Sequence, residues 1–430
     1  MKRRTFFKYT LPSVVMPALL GGFKMQAFAG NPLLYGLTGA TNNGRILVVI
    51  QLAGGNDGLN TVIPVEFYRA YKNARPNIAI AEEKILRLNG YDKTGLHPAM
   101  SLMQQLFNEN QLAIVQAVSY PQPSFSHFRA TDIWLTGEES NQDLNTGWMG
   151  RYLNRLYPNF PTNYPNSIMP HPLAIQIGSV ISPGLQGPAF PMAMAISNPD
   201  SFYTMLNEKA TATSTSFSQD QIDFIRQVSE KTDAYADVIK AAAKKITTQS
   251  GKYAEKGKNP LSDQLKIVSR LIAGGLQTKI YMVSMGGFDT HAKQTDATDT
   301  SIGAHAGQLQ KLSEAIAAFM DDLKMQQVAD RVVGMTFSEF GRRIKSNASG
   351  GTDHGIAAPV FVFGQPVQAG IVGSNPLLPD NATVNDNIAM QHDFRAVYAT
   401  LLKNWLGEKD ADMQDILQKD FATLPLIKKV

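Results

Sequence analysis

An uninterrupted apolar run that ends at two glycines is the feature that most constrains the fold of this chain. Residues Ile46–Leu52 read ILVVIQL, and Gly54 and Gly55 follow shortly after. A continuous rather than alternating apolar run is typical of a strand that is buried on both faces, as in a parallel sheet. Asp57 then lies just beyond the strand, at the sheet edge where ligands bind in open α/β folds. The alternative interpretation is a simple turn, because Asn-Asp-Gly is common turn chemistry.

The same arrangement recurs later in the chain, where acidic and imidazole side chains lie next to predicted strands: Asp289 and His291 after 279–285, Glu339 after 331–337, and Asp353 and His354 before 359–363. Helical segments alternate with the strands, which predicts an α/β fold with a mostly parallel central sheet flanked by helices on both faces. Because parallel strands share one carboxyl edge, we expect these side chains to converge. Mixed Asp, Glu and His ligands suit one or two divalent ions, such as zinc, manganese, magnesium or calcium.

Ser126 is the candidate nucleophile. It lies near the start of a predicted helix over 125–135, where exposed N–H groups and the helix dipole favour an anion. A divalent ion can activate such a hydroxyl group. Arg342 or Arg343 is the candidate to bind the anionic oxygens of a substrate. The simpler alternatives are that Ser126 caps the helix and that Glu339 and Arg342 form a surface ion pair.

The first 29 residues have the features of an export signal. They contain paired arginines at positions 3 and 4, an apolar segment and the small-x-small site Ala27-Phe28-Ala29. This pattern is typical of a twin-arginine signal, so we expect the twin-arginine export machinery as a partner and a periplasmic or cell-surface location. After processing, the chain is expected to be soluble and free of the membrane.

The charge and the cysteine count exclude several function classes. Residues 1–29 carry five basic and no acidic side chains, so removing them from the formal net charge of +4 leaves −1 for the remainder. We see no basic run that would indicate a nucleic-acid partner. The chain has no cysteine, which excludes disulfides and cysteine–zinc sites. We expect 30–44 to be a leader and 45–430 to be a single domain with a mainly helical insertion at about 200–275.

Five stretches of the chain together resemble a known family: LVVIQLAGGNDGLNTVIP, SFSHFRATDIWLTG, GGFDTHAKQ, TFSEFGRRIKSNASGGTDHG and DFRAVYATLL. They resemble the bacterial exported family called domain of unknown function fifteen hundred and one, within the alkaline phosphatase-like, or sulfatase-like, superfamily. The resemblance implies a three-layer sandwich fold and a one-metal or two-metal site. It implies two ligand groups: one built by Asp57, Ser126 and Glu339, and one built by Asp289, His291 and His354, with Asp353 nearby.

The resemblance implies an exported, metal-dependent hydrolase of phosphate or sulfate esters, with Ser126 as the nucleophile and an anionic ester as the substrate. The main alternative is a non-catalytic protein that binds a metal or a polysaccharide on the same fold, because function depends on the site rather than on the fold. A transferase that uses the same nucleophile with an acceptor other than water is a third interpretation.

Overall fold

A nine-stranded mixed sheet lies at the centre of the computed structural model, which describes residues 44–162, 164–197 and 235–429. The strands in this part of the chain are β1 Ile46–Leu52, β2 Val62–Pro64, β3 Leu86–Leu88, β4 Tyr91–Leu96, β5 Leu112–Ser119, β6 Ala174–Ile177, β7 Met194–Ile196, β8 Ile280–Met285, β9 Val332–Phe337, β10 Gly341–Arg342, β11 His354–Gly355, β12 Ala358–Phe363, β13 Gly370–Val372 and β14 His392–Asp393. The central sheet has the order β13-β5-β12-β9-β1-β8-β6-β7, and β14 pairs with β5.

Strand β1 is the middle of the sheet and pairs in parallel with β8 and β9. Strand β12 is the exception to the parallel arrangement, since it runs antiparallel to both of its neighbours, β5 and β9. The amino end of β12 therefore lies at the same edge of the sheet as the carboxyl ends of β1, β5, β8 and β9. This edge carries the candidate site.

Helices cover both faces of the sheet: α1 Gly58–Thr61, α2 Tyr68–Ala74, α3 Ser101–Asn108, α4 His127–Thr136, α5 Trp148–Leu156, α6 235–245, α7 Pro260–Ala273, α8 Ala304–Met325, α9 Phe394–Thr400 and α10 Met413–Leu417. Alternate side chains of β1 enter opposite cores. Val48 and Ile50 pack with α3, α7 and α8, whereas Leu47 and Val49 pack with α4, α5 and α9. The continuous apolar run is explained by this burial on both faces.

The predicted fold class is confirmed, with corrections in detail. The sequence did not predict that β12 is antiparallel, nor the small sheet β2-β4-β3 and the β10–β11 pair. The predicted signal and residues 30–43 of the predicted leader lie outside the described residues, as does 198–234 of the predicted helical insertion. Its remaining part is helical at 235–245 and Pro260–Ala273. None of the described helices combines the length and apolar character that a bilayer span requires.

Candidate metal centre

Three side chains from distant parts of the chain meet at the carboxyl edge of the sheet. His127 begins helix α4 after β5, Asp289 follows β8, and His354 lies in β11 just ahead of β12. One potential ligand atom from each lies within 4.8 Å of the other two. His354 reaches this edge because β12 runs antiparallel to β9.

The imidazole Nε2 atoms of three histidines converge on the carboxylate of Asp289. His291 Nε2 lies 3.1 Å from Asp289 Oδ1 and 2.8 Å from His354 Nε2. His354 Nε2 is 3.5 Å from Asp289 Oδ1, and His127 Nε2 is 3.5 Å from Asp289 Oδ2. In a tetrahedral site with zinc–nitrogen bonds of about 2.0–2.1 Å, neighbouring ligand atoms are about 3.3 Å apart. The observed separations of 2.8–3.5 Å lie on both sides of that spacing.

The Nδ1 atoms of the same histidines face hydrogen-bond acceptors on the outer side of the group. His127 Nδ1 lies 2.8 Å from Glu339 Oε1, and His354 Nδ1 lies 2.8 Å from the carbonyl oxygen of Phe125. His291 Nδ1 lies 3.3 Å from Asp353 Oδ1. Carboxylates and carbonyls only accept, so each Nδ1 carries a proton; in a neutral imidazole, Nε2 then presents a lone pair. This is the pattern that orients metal-binding histidines.

The Nε2 atoms and the Asp289 carboxylate consequently face one another with lone pairs. The three Nε2 atoms and the Asp289 carboxylate are all acceptors when each Nδ1 is protonated, and two of the nitrogens are only 2.8 Å apart. Lone pairs repel one another at such a distance unless a proton or a metal cation lies between them. Burial lowers the pKa of His354, which favours its neutral, ligand-competent form. The donor set therefore fits a divalent metal ion.

Arg342 fixes the position of Asp289 and is itself inaccessible. Its guanidinium is fully buried and donates to Asp289 Oδ1 at 2.6 Å. Its other hydrogen bonds go to the carbonyl oxygens of Gly54, Gly55, Phe288 and Thr352. Burial alone would raise the pKa of Asp289, but the hydrogen bond and charge of Arg342 outweigh it, and this pKa lies below its ordinary value. The structure thus places Arg342 behind the carboxylate, not where it can bind a substrate anion.

The neighbouring Arg343 is also engaged in holding the protein backbone. Its guanidinium donates to the carbonyl oxygen of His354 at 3.2 Å and to Asn385 Oδ1 at 2.8 Å, and it contacts the carbonyl oxygen of Val384. The expectation that one of these two arginines binds substrate is therefore not supported by their contacts.

Glu339 orients a histidine of the group. Its carboxylate is almost fully buried, and Oε1 accepts hydrogen bonds from His127 Nδ1 and from the N–H of Gly54, both at 2.8 Å. Because this oxygen already has two donors, we assign Glu339 to the outer shell of the centre and not to the ligands.

Two glycines make room for this arrangement. Gly54 and Gly55 have φ values of +126° and +79°, which favour glycine. A Cβ atom on Gly55 would lie 2.3 Å from the Phe340 ring. That ring in turn packs against the imidazoles of His127 and His354, with centroid separations of 4.9 and 4.4 Å. The glycine pair after β1 thus leaves room for the Phe340 ring, which packs against His127 and His354.

Asp57 lies in a different environment. It is fully buried, and Arg75 Nη1 donates to both of its carboxylate oxygens, at 2.8 and 2.6 Å. Gln294 Nε2 donates to Asp57 Oδ2 at 2.5 Å. Burial would raise the pKa of Asp57, but the charge of Arg75 and the hydrogen bonds from Arg75 and Gln294 act together in the opposite direction, and the pKa lies below its ordinary value. An arginine thus takes the place at Asp57 that the sequence interpretation gave to a metal ion.

Ser126 is exposed at the N-cap position of helix α4. Its carbonyl oxygen accepts from the N–H of Ala130, but its side chain makes no capping hydrogen bond among the described residues. The residues on both sides of it contribute to the centre, since the Phe125 carbonyl holds His354 and His127 points toward Asp289. The serine hydroxyl is therefore available at the rim of the group.

The structure brings together Asp289, His291 and His354, with Asp353 behind His291, as the sequence interpretation grouped them. It adds His127, which that interpretation did not select. The available signal was its position directly after Ser126 at a predicted helix start, where a side chain can face the same edge as the serine.

Comparison with known proteins places the chain in a family. The family model described as "Protein of unknown function (DUF1501)" matches residues 110–406. The chain belongs to this family. Among curated protein sequences, no relative of this DUF1501 protein matches significantly.

Several solved structures resemble the DUF1501 chain at low identity. A protein in the alkaline phosphatase superfamily from Vibrio parahaemolyticus has 10% identity and a TM-score of 0.39, over 88% of this chain and 71% of the other. The PsFucS1 sulfatase from Pseudoalteromonas sp. has 10% identity and a TM-score of 0.38, over 89% and 71%. The lipoteichoic acid synthase LtaP from Listeria monocytogenes has 12% identity and a TM-score of 0.34, over 88% and 76%. Similarities of this size carry no argument about the reaction.

Proposed function

We propose that this protein is a metal-dependent hydrolase of phosphate or sulfate esters that uses Ser126 as its nucleophile. The observation that carries the proposal is the convergence of three imidazole Nε2 atoms and the Asp289 carboxylate beside an exposed serine without a capping bond. Several acceptor atoms that face one another favour the binding of a cation. A metal cation beside the serine hydroxyl would support attack of that hydroxyl on an anionic ester.

The ligands that we propose are His127, Asp289 and His354, each through the atom that faces the centre. Imidazole nitrogens with one carboxylate suit zinc better than manganese, magnesium or calcium, which prefer oxygen ligands. A divalent ion bound there would neutralise the ester oxygens and lower the pKa of an attacking hydroxyl. Since Arg342 is buried, we assign the binding of the substrate anion to the metal centre.

In the proposed reaction, the Ser126 oxygen forms a bond to the phosphorus or sulfur atom as the bond to the ester oxygen breaks. The leaving alcohol takes up a proton, and water then cleaves the seryl ester and restores the serine. The residues on both sides of Ser126 orient its hydroxyl. The Phe125 carbonyl binds His354 and the His127 side chain binds Glu339, so the backbone of the serine between them is held in place.

A non-catalytic metal-binding protein remains the second candidate, and His291 is the observation that favours it. His291 lies 2.8 Å from His354 Nε2, so it is placed to act as a fourth protein ligand. Four protein ligands give a closed, structural zinc site, whereas three leave a position open for chemistry. His291→Ala distinguishes the cases: an open site keeps its metal in this variant, and a closed site loses most of its affinity.

The test uses the purified mature protein, prepared without chelator and assayed on p-nitrophenyl phosphate and p-nitrophenyl sulfate. We expect bound divalent metal and turnover of one ester. Ser126→Ala should retain the metal and lose turnover by at least about 100-fold, as expected when an attacking group is removed. Ser349→Ala, which alters another exposed serine, is the control and should keep full activity. Metal binding without turnover of any ester would favour the binding protein.

We also propose that the chain is exported by its first 29 residues, which carry the paired arginines Arg3 and Arg4. Replacing both arginines with lysine keeps the charge but removes the pair that the export machinery recognises. The precursor is then expected to accumulate in the cytoplasm, as measured by fractionation and immunoblotting. Normal processing of this variant would contradict a twin-arginine route.

A further inference from the structure

The buried side chain of Gln294 links the loop that carries Asp289 and His291 to the segment that leads into His354. Gln294 is fully buried, and its Oε1 accepts hydrogen bonds from Thr290 Oγ1 at 2.9 Å and from Thr352 Oγ1 at 3.0 Å. Thr290 lies between Asp289 and His291, whereas Thr352 comes just before Asp353 and His354. The amide oxygen of Gln294 thus joins the loop after β8, which carries Asp289 and His291, to the loop before β11, which leads into His354.

The orientation of this amide is determined by its other neighbour. Gln294 Nε2 donates to Asp57 Oδ2 at 2.5 Å, and an ionised carboxylate only accepts. The amide oxygen must then face the two threonine hydroxyls. Asp57 is itself held by Arg75, which donates to both of its oxygens. The resulting chain of contacts runs from Arg75 through Asp57 and Gln294 to both ligand loops.

The backbone of residue 294 is anchored as firmly as its side chain. Its N–H donates to the carbonyl oxygen of Gly350 at 2.8 Å, and its carbonyl accepts from the N–H of His305 at 3.1 Å. The loops are also joined directly, because the N–H of Thr352 donates to the carbonyl oxygen of Thr290 at 3.2 Å. Gln294, in the loop after β8, is therefore anchored both to the loop before β11 and to helix α8.

We propose that Gln294 is a positioning residue for the metal centre, oriented by the Asp57–Arg75 ion pair, and that it sets the separation between His291 and His354. This inference rests on the metal centre of the proposed function but not on ester hydrolysis. In this proposal Asp57 orients Gln294 and does not bind the metal directly, which differs from the ligand role expected from the sequence.

The test compares matched threonine variants. Thr352→Val removes the hydroxyl and keeps the shape, whereas Thr352→Ser keeps the hydroxyl. We expect Thr352→Val and Gln294→Met to weaken zinc affinity by about 10–100-fold, the range found for outer-shell groups. Thr352→Ser should bind almost as tightly as the unsubstituted protein. Affinity is measured on the folded protein by competition with a chromogenic chelator, and urea unfolding of the metal-free protein is measured separately.

A double-mutant cycle sharpens the test. If both threonines act through the same amide, adding Thr352→Val to Gln294→Met should weaken zinc binding little further, because neighbouring sites that share a partner are not additive. Unchanged zinc affinity in Gln294→Met and Thr352→Val, with only a loss of stability, would overturn the proposal.

A second measurement does not depend on metal or on activity. Crystal structures of the metal-free protein and of metal-free Gln294→Met should differ in the separation of the His291 and His354 Nε2 atoms, which is 2.8 Å in the unsubstituted chain. An unchanged separation would also overturn the proposal. If the protein turns over no ester but these two results hold, the hydrolase proposal fails while the positioning role stands.

Discussion

Two neighbouring strands of this protein end in nearly the same way and lead to opposite results. Strand β1 is followed by Gly54-Gly55-Asn56-Asp57, and strand β8 is followed by Gly286-Gly287-Phe288-Asp289. The strands are parallel and adjacent, so both aspartates leave the sheet at one edge. Asp57 is fully buried, whereas the side chain of Asp289 is 46% exposed.

The partners account for the difference. Both oxygens of Asp57 receive hydrogen bonds from Arg75, so its charge is already balanced inside the protein. At Asp289, Arg342 reaches one oxygen, and histidine nitrogens lie around the carboxylate. The comparison teaches that similar Gly-Gly-x-Asp turns can place an aspartate at the same sheet edge, and that the rest of the chain decides whether an arginine balances both of its oxygens, as at Asp57, or histidines surround it, as at Asp289.

The largest effect that we expect is on stability, and it separates the two aspartates. Asp57→Ala leaves the buried Arg75 without its counter-charge, which costs about 3–5 kcal/mol in the free energy of unfolding. Asp289→Ala should cost less, because the Asp289 side chain is 46% exposed and water already screens its pairing with Arg342. Urea unfolding of both metal-free variants provides the measurement. Equal losses in the two variants would contradict the comparison.

The Asp57 contribution has a defined pH dependence. The pKa of Asp57 in the folded protein lies below its value of about 3.9 in an unfolded chain. The stabilisation is therefore fully present above that unfolded value and is lost as the pH falls through it toward the folded pKa.

The second effect is on metal stoichiometry. We expect about one equivalent of divalent metal per chain, because the cation position at Asp57 is filled by Arg75. At saturating metal, Asp57→Asn should still bind about one equivalent, whereas Asp289→Asn should bind almost none. Elemental analysis after gel filtration distinguishes these outcomes. Two equivalents in the unsubstituted protein would show that the Asp57 side retains a metal site.

The third effect compares two carboxylates that orient histidines. Glu339 is buried and holds His127, whereas Asp353 is 52% exposed and holds His291. We expect Glu339→Gln to weaken metal binding by about 10–100-fold and Asp353→Asn to weaken it less. Chelator competition gives both affinities. A larger loss in Asp353→Asn would indicate that His291 is the more important ligand.

The effect that is smallest at neutral pH concerns two buried histidines on the Asp57 side. Burial lowers the pKa of His305 to about 4 and of His97 to about 3, from an ordinary value of 6.5. The unfolded chain accepts these protons near pH 6.5 and the folded protein does not, so stability falls as the pH drops from 6.5 toward 4. Each histidine contributes a slope of about 1.4 kcal/mol per pH unit. His305→Asn should remove one such slope from urea-unfolding measurements of the metal-free protein.

The sequence predicted the sheet, its helical crossovers and the edge at which the site lies, because continuous apolar runs and terminal glycines are local signals. It also grouped Asp289, His291 and His354. It did not predict the partner of Asp57, since the position of Arg75 is set by tertiary packing that no local pattern records.

The directions in which individual side chains point could not be predicted from the sequence either. Arg342 and Arg343 are adjacent and chemically identical, yet only Arg342 turns inward to Asp289, as the pairing of β10 with β11 requires. His127 was missed for the same reason, because its orientation depends on contact with Glu339, far away in the chain.

The reversed direction of β12 also bears on the order of folding. This strand lies between β5 and β9 although it follows both in the chain, and it is what delivers His354. Its contacts with β5, which lies far away in the chain, form slowly because a long loop must close first. The complete ligand set exists only after that insertion. We therefore expect a metal ion to bind the finished sheet and not to nucleate it, in contrast to small zinc modules that fold around their ion.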